Sequence, residues 1–143
     1  MTQAAFSTEI NADFDVIWKT LMDEVENNHL YSQKILDVKI IERFHDGVLR
    51  LVAVRDADVR ERVIFDYAQR EVNSTLVGHP HLAGSIIKKV VPVNSITDKP
   101  PYQIQCSIEW QSNDTNVDKM IRRNVESFIM NGLKLVKEKA EKQ

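Results

Sequence analysis

From residue 35 to residue 111 the apolar side chains recur with a period of two, and after that the period lengthens to that of a helix until nearly the end of the chain. The clearest stretch is 102–111. Tyr102, Ile104, Cys106, Ile108 and Trp110 fall on one side, and Gln103, Gln105, Ser107, Glu109 and Gln111 on the other. Clean alternation of that kind marks an antiparallel sheet with one dry and one wet face. The same period breaks the rest into strands at 48–55, 59–67, 71–77 and 85–93, after a first one in which Leu36, Val38 and Ile40 alternate with Asp37, Lys39 and Ile41. His45-Asp46-Gly47 supplies a turn.

Before this block, Phe6, Thr8 and Ile10 alternate with Ala5, Ser7 and Glu9, which predicts an opening strand. Phe14, Ile17, Trp18, Leu21, Met22 and Val25 then recur at helical spacing, with Asn11 or Asp13 available as cap, and a short helical turn is expected within 26–33. The final helix is expected over 116–139. Its apolar stripe is Val117, Met120, Ile121, Val125, Phe128, Ile129, Gly132, Leu135 and Val136, and lysines crowd the end where they favour the helix dipole.

Reading Asp56-Ala57-Asp58 as a three-residue loop pairs Arg55 with Val59, Ala53 with Glu61, Leu51 with Val63 and Leu49 with Phe65. A four-residue turn at 68–71 then sets Tyr67 opposite Val72, Phe65 opposite Ser74 and Val63 opposite Leu76, and the apolar side chains share one face.

At 143 residues, with no internal repeat or linker, the chain is expected to form one domain over 1–143, large enough to bury a core or an internal pocket. A formal charge of −2 gives no footprint for nucleic acid or an anionic membrane. A single cysteine excludes an internal disulfide and a multi-cysteine zinc site. No apolar run approaches the ~20 residues of a membrane span. The opening MTQAAFSTEI lacks a basic segment followed by an apolar one, so no signal peptide is expected and a cytoplasmic location is. Phosphate loops, G-x-S-x-G and H-E-x-x-H are missing from the sequence, and no cofactor is expected.

The order strand, helix, short helix, six strands, long helix matches the α+β helix-grip architecture, a curved seven-stranded antiparallel sheet wrapped around the C-terminal helix. The segments Asp15-Val16-Ile17-Trp18-Lys19-Thr20-Leu21, Val59-Arg60-Glu61-Arg62-Val63 and Met120-Ile121-Arg122-Arg123 carry a resemblance to the START/SRPBCC superfamily, which includes the major birch pollen allergen, and within it to the AtaL-like branch. Many members bind lipids, polyketides, sterols or other apolar molecules between sheet and helix. The resemblance therefore implies a cavity for an apolar or amphipathic ligand, and fixes no chemistry.

Glu61 stands out because the register aims it inward between Val59 and Val63. An ionised carboxylate there is costly unless paired. It could orient a ligand hydroxyl, act as general base in a polyketide cyclase or dehydratase reaction with a tyrosine as acid, or simply pair with a nearby arginine. The expected cavity lining is Glu61, Val63, Phe65, Tyr67, Ser74, Leu76, Tyr102, Ile104, Cys106, Ile108, Met120, Asn124 and Phe128. Tyr67 and Tyr102 lie near strand ends, where a phenol could reach a guest. Asn124 and Gly132 interrupt the apolar stripe of the last helix, Gly132 making room there. Cys106 reads as a small buried hydrophobe. His79 and His81 are spaced to chelate a metal but have no acidic or cysteine companion nearby, so no metal site is expected. Against the binding and enzyme readings stands an interaction module with a filled core, and outward Val52, Val54, Ile64 or Val77 could seed a homodimer of an otherwise monomeric chain.

Overall fold

In the computed structural model the chain is described over residues 2–55 and 57–143, apart from the side chains of 2, 57, 121–126 and 128. The elements run β1 (Thr2–Ile10), α1 (Phe14–Glu26), a 3-10 turn (Asn28–Leu30), β2 (Ile35–Phe44), β3 (Gly47–Val54), β4 (Ala57–Asp66), β5 (Glu71–Val77), β6 (Leu82–Pro92), β7 (Tyr102–Ser112) and α2 (Thr115–Glu141). All seven strands join one antiparallel sheet in the order β1-β7-β6-β5-β4-β3-β2, so only the β1–β7 pairing departs from a simple meander. This is the expected helix-grip fold, with α1 and the short turn inserted between the two edge strands.

The alternating residues of β7 do what their pattern predicts. Tyr102, Ile104, Cys106 and Trp110 are buried on the inner face, opposite the even-numbered residues of β1 and β6. α2 covers that face with Ile129, Leu133, Val136 and Ala140, and also contacts β1, β7 and α1. Two local devices fix where α2 begins. Asp114 caps it by accepting from the backbone N–H groups of Asn116 (2.8 Å) and Val117 (3.3 Å), and the Trp110 indole donates to Asp118 at 3.1 Å.

The β3–β4 register differs from the sequence reading. Val54 faces Ala57, and the pairs are Val52–Val59, Arg50–Glu61 and Val48–Val63. The register that forms buries Val48 and Val52 on the same face as Val63 and sets Arg50 against Glu61, and burial of that face outweighs the local turn signal of the two aspartates. The displacement is odd, so it inverts β3: Val48, Arg50 and Val52 point inward, and Leu49 and Leu51 outward. Val52 is buried rather than outward, whereas Ile64 and Val77 are exposed as expected. β4 and β5 pair as Glu61–Leu76, Val63–Ser74 and Phe65–Val72, an even displacement that leaves the faces unchanged.

The four-residue β4–β5 turn, 67–70, ends on Arg70 at φ 57, a left-handed conformation uncommon for a residue with a side chain. Its guanidinium lies 4.0 Å over the Phe14 ring and holds Asp98 with two hydrogen bonds, 2.8 and 2.9 Å. Asp98 also accepts from the Tyr102 hydroxyl at 2.8 Å. These bonds strap the β6–β7 connection over one end of α1, and the pair of donors holds the Asp98 carboxyl down at about 2.

Candidate functional site

A cavity of about 220 Å³ lies at the other end of α1, between the sheet and α2. The spacing from Phe14 to Glu24 puts the two ends about 15 Å apart at the helical rise per residue. Leu21, Val25, Val52, Val59, Val72 and Ile129 give the cavity apolar walls. Within them sit four charged side chains, each placed by its element's own period. Glu24 shares the buried stripe of α1 with Ile17, Leu21 and Val25. Arg50 and Glu61 face each other across β3 and β4, and Lys88 follows Ile86 on the inner face of β6.

The charges are paired. Arg50 donates from Nε (3.1 Å) and Nη2 (2.7 Å) to Glu61 Oε1, and from Nη1 to the Val25 carbonyl at 2.7 Å, near the C-terminal end of α1. The guanidinium thus serves two carriers of negative charge, a carboxylate and a helix terminus. Lys88 Nζ donates to Glu24 Oε1. Oε2 of Glu24 and Oε2 of Glu61 carry no hydrogen bond among the described residues. Gly132 of α2 faces the first of these: a Cβ there would stand 3.5 Å from Glu24 Oε2.

Tyr31 closes one side. Its hydroxyl donates to Asp23 at 2.6 Å, the Lys139 ammonium lies 3.9 Å over its ring, and burial followed by the Asp23 hydrogen bond pushes the phenol up. Tyr31 and Ser32 are shared with an adjoining groove of about 340 Å³, bounded by the exposed residues Gln33, Lys34, Asn131, Lys134 and Glu138.

Of the residues expected to line the cavity, Glu61 and Ser74 do so; Gly132, read as making room on the last helix, lines it too, as do Val52 and Val54, which were expected to point outward. Glu61 has the arginine partner that was one of its three expected readings. Val63, Ile104 and Cys106 are packed into the core beside it, and burial pushes the Cys106 thiol up. Phe65 packs edge-on to Trp18, and Leu76 and Ile108 are half-buried away from the cavity lining. Tyr67 and Tyr102 lie around Phe14 at the strapped end: Tyr67 is 57% exposed and donates to Asp15 at 2.9 Å. Met120 is exposed, and the side chains of Asn124 and Phe128 lie outside the described residues. His79 Nδ1 accepts from the His81 backbone N–H at 3.1 Å, while His81 Nδ1 is 3.2 Å from Asn113 Oδ1.

Sequence reasoning passed over Glu24, Arg50, Lys88 and Tyr31. Glu24 carried a usable signal, a carboxylate on an otherwise apolar helical stripe. Arg50 was hidden by the register, which placed it on the outer face.

The sequence matches no protein-family model and no curated protein. The fold does have solved counterparts. The Zhui aromatase/cyclase from Streptomyces sp. R1128 superposes with a TM-score of 0.82 at 16% identity, over 98% of this chain and 93% of that one. Norcoclaurine synthase from Thalictrum flavum gives 0.74 at 14%, over 97% and 93%. The di-domain aromatase/cyclase BexL gives 0.70 at 18%, over 99% of this chain and 47% of that one. At such identities the likeness is one of fold, and the fold is the helix grip.

Proposed function

We propose that this helix-grip chain, read as a START/SRPBCC member of the AtaL-like branch, binds a hydrophobic or amphipathic small molecule of lipid- or polyketide-like character in the cavity between sheet and α2. The observation that carries this is the cavity itself: aliphatic walls enclosing a few converging polar groups, the composition of small-molecule sites. At about 220 Å³ it is smaller than the roughly 300–1,000 Å³ of drug-sized pockets, which favours a compact guest or one that extends into the adjoining groove. No described helix is long and apolar enough to cross a membrane, and we read the chain as cytoplasmic and as a monomer or homodimer.

The second reading, a cyclase- or dehydratase-like enzyme with Glu61 as general base, is favoured by Glu61 Oε2, which carries no hydrogen bond among the described residues, and by the aromatase/cyclases among the solved counterparts. Its acid would not come from Tyr67 or Tyr102, which stand at the far end of α1. The tyrosine that reaches the cavity is Tyr31.

Native mass spectrometry of freshly purified protein tests the binding reading. The expected result is an adduct released on denaturation and identified as a lipid or aromatic compound. An apo mass, together with no thermal stabilisation by a panel of small apolar compounds, overturns it. Turnover of a polyketide-like substrate that collapses in Glu61→Gln while binding persists would select the enzyme.

A further inference from the structure

We propose that the cavity selects ligands that carry hydroxyl groups and no net charge, and rejects the corresponding carboxylates. The inference rests on the reading of this cavity as the binding site. Among the described lining residues the charged groups are Glu24, Arg50, Glu61 and Lys88, two of each sign, so the lining is neutral overall. Both cations are already engaged. Arg50 directs Nε and Nη2 to Glu61 and Nη1 to the Val25 carbonyl, and Lys88 holds Glu24. A ligand carboxylate entering here would lose its water, find both cationic charges already balanced by Glu24 and Glu61, and stand near those two fixed carboxylates. Removing an ion from water without a partner is strongly unfavourable.

A hydroxyl meets the opposite situation. The Oε2 atoms of Glu24 and Glu61 are acceptors with no hydrogen bond among the described residues, and charge-assisted bonds to carboxylates are the stronger kind. Lys88 keeps ammonium N–H groups beyond the one given to Glu24, so the same hydroxyl can also accept. Gly132 sharpens the argument, because an ordinary side chain at that point of α2 would lie against Glu24 Oε2 and cover it. The helix tolerates there a residue with a lower helix propensity than alanine.

The test pairs two probes of the same ring system, 2-naphthol, neutral at pH 7, and 2-naphthoate, ionised at pH 7, titrated into the full chain by calorimetry. Naphthol is expected to bind at least about tenfold more tightly. Glu24→Gln and Glu61→Gln each raise the lining charge by one unit and release a cation, so each is expected to improve naphthoate binding by about tenfold or more, since a unit charge at a few ångströms is worth more than a factor of ten at protein dielectric. Circular dichroism confirms that each variant is folded, and two separate variants guard against the loss of one. Equal or tighter binding of naphthoate to the unaltered protein overturns the selection while leaving the binding site in place. Absence of binding by both probes overturns the selection and the binding reading together.

Discussion

Each of the three tyrosines donates its hydroxyl to an aspartate: Tyr31 to Asp23, Tyr67 to Asp15 and Tyr102 to Asp98. A phenol that donates to a carboxylate resists ionising, and all three are raised above the ordinary 10.0, Tyr31 and Tyr102 chiefly by burial and Tyr67 chiefly by its hydrogen bond. Because the folded values lie above the unfolded ones, this stability is complete below pH ~10 and disappears as pH rises, when the unfolded chain releases its protons first. An absorbance titration is expected to show every tyrosine ionising above pH 10, with Tyr31 titrating only as the chain unfolds. A native phenol ionising at its ordinary value contradicts the assigned bonds. The same pairing removes Tyr67 and Tyr102 from the ligand inventory that the sequence suggested, since their aspartates lie at the strapped end of α1.

At the scale of elements, Arg50 is the joint between α1, β3 and β4. It is 7% exposed and binds one group on each of its two neighbours. Arg50→Ala leaves Glu61 without its counter-charge and the Val25 carbonyl without its donor, and is expected to lower stability by about 3–5 kcal/mol in denaturant unfolding. The double variant Arg50→Met/Glu61→Leu is expected to recover most of that loss, because it removes the stranded charge along with the pair. If the single variant unfolds like the unaltered protein, the joint is not structural. How far such features were legible before the structure depends on their range. The alternation in β7 is local, so it fixed that strand and its buried face from ten residues. The β3–β4 pairing hung on the length of the connection, and the choice made from two aspartates turned Arg50 to the wrong side. Lys88 and Glu24 are 64 residues apart, and nothing in either neighbourhood announces the other. The fold was therefore readable from periodicity, whereas the cavity's charge pairs depended on register and on contacts made only by the closed sheet.

For the whole molecule, the cavity separates two properties that usually rise together. Val52→Ile adds a methylene to the cavity wall, and Gly132→Ala adds a methyl where the nearest atom, Glu24 Oε2, is at an ordinary contact distance of 3.5 Å. Both are expected to raise the unfolding free energy, Gly132→Ala by about 1 kcal/mol from helix propensity alone, and both are expected to weaken binding of a compact guest several-fold. Calorimetric unfolding and ligand titration on the same samples check the pair of signs. A variant that gains stability without losing affinity places the guest elsewhere.

The magnitude of the space gives this a sharper form. A dry apolar void costs on the order of 24 cal/mol per Å³, so for a space of about 220 Å³ that also holds charged side chains roughly 5 kcal/mol is an upper bound on the stability forgone. That is comparable to the whole margin by which many domains of this size stay folded. On the proposed binding reading, an empty copy of this protein sits closer to unfolding than an occupied one. If the proposed guest binds there, the hollow between sheet and helix couples the supply of guest to the fraction of protein that escapes proteolysis.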